Sequence, residues 1–180
     1  MSKNIPHSTK IVIIGGGVIG CSVAYHLTKF GWKDVVLLER DQLTSGTTWH
    51  AAGLVSQLGP TAAVTKIRKY TLDLYKKLEK EVDHSAGLRI NGALSVAQTN
   101  ARWQELQRQA TTAQLYDVDI KILDKNQIKK NYPIMYTDDL KGGVLMPGDG
   151  AADPSGVTHM LAKGARLGGA KIYEQSPVET

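Results

Sequence analysis

The chain has 180 residues, a formal net charge of +5, 42% hydrophobic and 22% charged residues, which suits one globular domain or slightly more and excludes a disordered or fibrous chain. One cysteine, Cys21, excludes an intrachain disulfide and a cysteine-built metal site. Many basic residues fall on one helical stretch (Lys66, Arg68, Lys69, Lys76, Lys77, Lys80), but Glu79, Glu81 and Asp83 interleave with them, so the stretch reads as a solvated face and not as a nucleic-acid patch.

The first element is KIVIIGGG, residues 10–17. It is a short β-branched apolar run stopping at glycine, which predicts a strand buried on both faces, as in a parallel sheet. From Val18 to Phe30 the spacing turns helical, with Val23, Leu27 and Phe30 on one side and Gly31 as the stop. DVVLLER, residues 34–40, is a second buried strand, so the three pieces form a βαβ unit with a right-handed crossover. The run from Ile11 to Leu27 is short for a membrane span and is broken by glycines, Ser22, Tyr25 and His26. Leu27-Thr28-Lys29 after it does not resemble a signal cleavage site. A cytoplasmic protein without a membrane partner is expected, with a mature protein of the mitochondrial matrix as the alternative.

Gly15-Gly16-Gly17-Val18-Ile19-Gly20 is a G-x-G-x-x-G between the first strand and the helix, and Glu39 follows at the end of the next strand. This is the dinucleotide fingerprint, whose glycines have separate tasks. Gly15 permits the tight turn, Gly17 lets backbone approach a pyrophosphate, and Gly20 lets the helix pack closely on the strand. The helix N-terminus, at Val18 and Ile19, offers free N–H groups to the phosphates. Glu39 would accept from ribose hydroxyls, and Arg40 either assists at the adenosine or is solvated. Cys21, just inside the helix, reads as a small packing residue. The cradle alone leaves NAD and FAD both open.

Residues 44–54, TSGTTWHAAGL, show neither strand nor helix periodicity. Ser45, Thr47 and Thr48 can donate to phosphate or ribityl oxygens, Gly46 and Gly53 admit close backbone approach, and Leu54 suits the edge of a ring. Residues 60–84 predict an amphipathic helix with Val64, Ile67, Leu74, Leu78 and Val82 on one face. LRINGALSVAQ is strand-like with a turn or bulge at Asn91-Gly92, residues 101–115 are a helix, VDIKILD is a strand, and DKNQIKKNYP is a short helix ended before Pro133. A short strand is expected at Gly143 to Met146. Asp153-Pro154 is an N-cap with proline at the first helical position, opening a helix that ends near Leu167. AKIYEQ then supplies a third sheet strand. His26, His84 and His159 lack ligand spacing, so no metal is expected.

The stretch from Lys10 to Leu54 resembles the amino-terminal FAD segment of the D-amino-acid-oxidase-type flavoproteins, and more narrowly the dimethylglycine and sarcosine dehydrogenase branch. The resemblance is dense over residues 10–60 and continues through GDGAADPSGVTHMLAKGARLGGAKIYEQSPV. It implies an α/β fold: a discontinuous Rossmann-like FAD-binding domain, residues 1–59 and 149–180, interrupted at 60–148 by a region leading into an α+β substrate domain. It implies that His50, in T-W-H-A-A-G-L, bonds covalently to the flavin 8α-methyl carbon, with Trp49, Ala51 and Ala52 beside it, and that Val178 packs on adenine.

The resemblance also implies FAD-dependent oxidation of an N-methylated glycine, dimethylglycine or sarcosine, with hydride passing to flavin N5. The iminium formed hydrolyses to formaldehyde and the demethylated amine. An electron-transfer flavoprotein is an implied acceptor partner, and tetrahydrofolate an implied cofactor of a domain outside these residues. Arg89 and Arg102 are candidates for the substrate carboxylate by charge alone. Because family members are several times longer, an incomplete amino-terminal piece, inactive alone, is expected. The alternatives are an NAD-dependent oxidoreductase with the same cradle and a non-catalytic regulatory relative or inert fragment.

Overall fold

The computed structural model describes residues 5–179. In chain order the elements are β1 (Ile11–Ile14), α1 (Val18–Lys29), β2 (Val35–Leu38), a 3-10 turn (Thr48–His50), β3 (Leu54–Val55), α2 (Ala62–Val82), β4 (Ala93–Ala97), α3 (Asn100–Leu115), β5 (Lys121–Leu123), α4 (Lys125–Asn131), β6 (Gly142–Met146), β7 (Gly150–Ala151), α5 (Pro154–Leu167) and β8 (Lys171–Tyr173). They divide into two compact units. The first takes the described parts of Met1–Gly53, Leu74–Leu88 and Ala152–Thr180, and the second takes Leu54–Asp73 and Arg89–Ala151.

The first unit is built on a parallel sheet of order β1-β2-β8, with Val12 opposite Val36 and Leu37 opposite Ile172. Strand, helix and third strand therefore stand as the apolar runs indicate. β2 meets the expectation of a strand buried on both faces: Val35, Val36 and Leu37 are all buried. β1 does not. Ile11 and Ile13 pack on the core, but Val12 and Ile14 are 52% and 70% exposed. β1 is an end strand of this sheet in the described residues, whereas β2 lies between two strands.

The face of α1 also differs from its pattern. Val23 and Phe30 are exposed, and the buried residues are Cys21, Ala24, Tyr25 and Thr28. Close packing decided this, because α1 lies against α5 and a residue without a side chain on α5 makes room for the Tyr25 ring. At Gly164 of α5 an added Cβ would come 2.9 Å from the Tyr25 ring and 3.2 Å from Leu78 Cδ1. Met160, Leu161 and Ala165 of α5 and Leu74, Leu78 and Val82 of α2 complete this core with Leu37. Each large apolar side chain buried there contributes about 1.5–3 kcal/mol. Asp153 caps α5 as its sequence indicates, accepting from the Ser155 and Gly156 N–H groups with Pro154 in the first turn.

The second unit carries an antiparallel sheet of order β4-β6-β5 and the two-stranded pair β3-β7, neither strand of which has a sequence signal. Leu106 and Ala110 of α3 cover Ala97 and Val144. Asp124 and Gln127 form a reciprocal capping box at α4, the usual device for satisfying the first N–H groups of a helix. In its part of α2 the buried side chains are Thr65 and Leu72, whereas Ile67 is 64% exposed. Gly92 takes φ +80°, in line with the turn read at Asn91-Gly92.

The helix crossing in the first unit gives a measurable expectation. Gly164→Ala lowers the unfolding free energy by about 1–3 kcal/mol through overpacking. Gly46→Ala, whose new Cβ meets nothing within 4 Å, leaves it unchanged. Urea unfolding midpoints of the two variants check both.

Candidate functional site

The site begins where β1 stops. Gly15 turns the chain at φ +105°, a conformation that glycine adopts without a Cβ penalty, and its N–H donates to Leu38 O at 2.9 Å. Five residues on, Gly20 lies so close to the turn that a Cβ would be 1.9 Å from the Gly15 carbonyl oxygen. The tight turn and the close helix packing expected of these two glycines are thus one contact seen from both ends.

Gly17 is the cap residue of α1 and contributes no side chain; a Cβ there would sit 3.0 Å from Thr48 Oγ1. The Val18 N–H donates to that same hydroxyl oxygen at 3.0 Å. Thr48 is buried and its O–H hydrogen is left for an acceptor placed beyond it. The N–H groups of Ile19 and Gly20, in the first turn, have no intrahelical acceptor. With the positive end of the helix dipole they make this a place for an anion.

Glu39 is nearly buried at the end of β2. Its Oε2 accepts from the Gly16 N–H at 2.5 Å and its Oε1 from the Asp41 N–H at 2.9 Å. Each carboxylate oxygen keeps lone-pair capacity for a further donor. Beside it opens a cleft of about 200 Å³ lined by Ile14, Gly15, Leu38, Glu39, Arg40, Ser176, Pro177 and Val178. The fold therefore brings Gly15, Glu39, Arg40 and Val178 to one cleft. Ser176 and Pro177 were missed, and their only signal is adjacency to the strand that delivers Val178. The Arg40 guanidinium lies 3.5 Å from Asp41 on the exposed rim.

The 44–54 segment carries one turn of 3-10 helix. Ser45, Gly46, Thr47, Ala51 and Ala52 are exposed, and the rings of Trp49 and His50 lie 3.7 Å apart with a 32° tilt. Trp49 is 57% exposed, so it covers its neighbour instead of filling the core. Gly53 adopts φ +71°, and a Cβ there would meet the Ala152 carbonyl at 2.2 Å. Its close approach is to the chain's own backbone. Leu54 opens the second unit and is 80% exposed.

Other candidates have contacts of their own. Arg102 pairs with Glu105 of its own helix at 2.8 Å, and Arg89 joins the second unit through backbone bonds to Ala151. His26 Nδ1 lies 2.7 Å from the Ser22 carbonyl, and the His84 and His159 rings are 6.4 Å apart. The Cys21 thiol is pushed up to about 12 by burial, which keeps it protonated and agrees with a packing role. Among the described residues, no group of three or more His, Cys, Asp and Glu could hold a metal ion, and no helix is long and apolar enough to cross a membrane.

Comparison with known proteins places this geometry. The family model described as DAO, FAD dependent oxidoreductase, matches residues 10–180. Human mitochondrial sarcosine dehydrogenase is 39% identical over 178 residues, covering 98% of this chain and 19% of that protein. Human mitochondrial dimethylglycine dehydrogenase is 40% identical over 167 residues, 93% of this chain and 19% of that protein. The crystal structure of L-proline dehydrogenase from P. horikoshii superposes with a TM-score of 0.89 at 26% identity, over 97% of this chain and 46% of that one. The chain thus spans about a fifth of the length of these two curated relatives.

One buried acid escaped the sequence reading. Asp149, in the second unit, is 1% exposed; its Oδ1 accepts from the Gln57 N–H at 2.9 Å, while Oδ2 is buried without a hydrogen-bond partner. Burial raises its carboxyl above the usual range, against the opposing pull of the Gln57 hydrogen bonds and Arg68. A folded pKa above the unfolded one gives stability that is fully present below the unfolded pKa and is lost as pH rises through the folded value. Asp149→Asn should therefore flatten the fall in melting temperature of the second unit as pH is raised from 4 upward, ~4 being the ordinary carboxylate value. At the cradle, Gly20→Ala should cost at least about 2 kcal/mol, since the clash is with backbone and not with a flexible side chain; urea denaturation measures it.

Proposed function

The chain belongs to the DAO family of FAD-dependent oxidoreductases, and from that premise we propose that its first unit is the FAD-binding domain of an enzyme that oxidises the C–N bond of N-methylated glycines. The residues present fit the dinucleotide. Gly20 leaves no room for a side chain at the turn, α1 presents unpaired N–H groups, Glu39 stands at the end of β2, and an open cleft lies beside it. The family match favours FAD over NAD as the occupant of this cradle.

The single observation that carries the reading is the hydrogen bond from the Val18 N–H to Thr48 Oγ1. It docks the loop bearing His50 onto the start of α1, at the other end of the glycine turn whose Gly15 borders the Glu39 cleft. Glu39 would accept from the ribose hydroxyls, Val178 would lie against adenine, and Ile19, Gly20 and Thr48 would donate to the pyrophosphate. Ser45, Gly46 and Thr47 would follow the cofactor on the exposed side of the loop. His50, exposed beside Trp49, would be the covalent tether. FAD, when bound, supplies the two-electron oxidation of the amine carbon. The chain's own residues bind and orient it, and fix where its ring begins.

The substrate class follows that of two similar proteins, the sarcosine and dimethylglycine dehydrogenases. Both take a small N-methyl amino acid, so this chain is proposed to serve the same class. Arg89 and Arg102 gain no support as carboxylate partners, since Arg102 is engaged with Glu105.

Acid precipitation of the purified, flavin-loaded protein tests the tether. Yellow colour should remain in the pellet for the native chain and pass to the supernatant for His50→Ala. Colour lost to the supernatant by the native chain overturns the covalent assignment, and a protein without flavin absorption overturns the cofactor. Glu39→Ala should weaken FAD binding by about tenfold or more, the loss of charge-assisted hydrogen bonds to the ribose. Fluorescence titration with FAD measures it.

A further inference from the structure

Glu174 follows β8 and was assigned no role by the motif. Its carboxylate nevertheless reaches across to the loop that carries Thr48 and His50. Oε2 accepts from the Leu43 N–H at 3.2 Å, and Oε1 lies 3.7 Å from Arg166 Nη2 of α5. The neighbouring backbone bonds hold only the start of the loop, with Gln175 N–H donating to Asp41 O at 2.7 Å and Ser176 N–H to Glu39 O at 2.8 Å. Beyond Asp41 the Glu174 side chain is the connection from this strand.

What Leu43 does next gives the contact its importance. Its side chain is 3% exposed and lies over the cradle, so close that a Cβ on Gly16 would be 2.5 Å from Leu43 Cδ2. The next residue, Thr44, stands at φ +74° and donates its N–H to Gly16 O at 3.1 Å. A left-handed conformation at a threonine is unfavourable by itself and persists only where its surroundings hold it. The holding groups here are Glu174 on one side and Gly16 on the other.

We propose that Glu174 is a positioning residue for the flavin-attachment loop: by accepting the Leu43 N–H it seats Leu43 and Thr44 on the G-x-G-x-x-G turn and so sets where Thr48 and His50 stand. The part concerning His50 rests on the functional reading above. The seating of Leu43 and Thr44 does not. The Arg166 pair is long and both side chains are partly exposed, so it contributes little. The acceptor oxygen, not the charge pair, is the working part.

The test has two arms. In the flavin-free protein, amide hydrogen exchange over residues 43–50 should speed up about tenfold in Glu174→Ala, the loss of one charge-assisted hydrogen bond on a partly exposed loop. Glu174→Gln, whose amide oxygen can still accept from Leu43, should stay near the native rate, and Arg166→Met should not change it. In the flavin-loaded protein, Glu174→Ala should lower the acid-stable share of flavin at unchanged total flavin, and Glu174→Gln should restore it. Native exchange in Glu174→Ala overturns the proposal. Exchange as fast in Glu174→Gln as in Glu174→Ala overturns it too, by assigning the effect to the Arg166 pair. An unchanged acid-stable share in Glu174→Ala, alongside faster exchange, overturns the part that concerns His50. If the native protein holds no acid-stable flavin, the covalent reading fails and the exchange arm still decides the seating of the loop.

Discussion

A helix can begin against the carbonyl of a preceding turn only where one of its residues has no side chain. Gly20 meets that condition over Gly15. Because α1 starts there, its first N–H groups gather at the end of the sheet, and the positive end of its dipole faces the space beside Glu39. Every other feature of the candidate site is arranged around that point. Gly16 and Gly17 are glycines because the chain itself presses on them: Leu43 and Glu39 on the first, Thr48 on the second.

The cradle is thus as much a docking surface for the protein's own loop as a surface for a cofactor. The 41–50 segment is joined to Gln175, just past β8, by a backbone bond at Asp41, to Gly16 through Thr44, and to the helix N-terminus through Thr48. These bonds take the place of regular secondary structure, and they leave the polar side chains of Ser45 and Thr47 outward. A loop held this way can present an exposed side chain such as His50 in a set position without burying it. Rigidity at an exposed residue is a usual requirement of a binding site built on loops.

In the interior the same economy of size recurs. The Tyr25 ring of α1 packs at Gly164 of α5, and Thr28 at Gly168, so the small residues of the second helix admit the first, while Val23 and Phe30 turn outward. Amphipathic spacing counts apolar residues and does not record which of them fit a narrow interface. Asp149 shows the opposite exception, a polar side chain drawn inside the second unit because its oxygen closes the backbone of Gln57.

The sequence by itself determined the strand-helix-strand unit, the glycine turn, the acidic end of β2, the capped start of α5 and the third parallel strand. Each is a local matter: the period of apolar residues, the φ freedom of glycine at Gly15, the side chain of Asp153 on its own first turn. It also determined, through the T-W-H-A-A-G-L loop, which family the chain resembles. Only the tertiary structure decided that Val12 and Ile14 lie exposed, that α1 buries Cys21, Ala24, Tyr25 and Thr28, that Gly53 abuts Ala152, and that Ser176, Pro177 and Glu174 belong with Glu39 and Leu43. Those facts depend on which surfaces meet across more than a hundred residues of chain, and a local pattern carries no term for the neighbour on the other side.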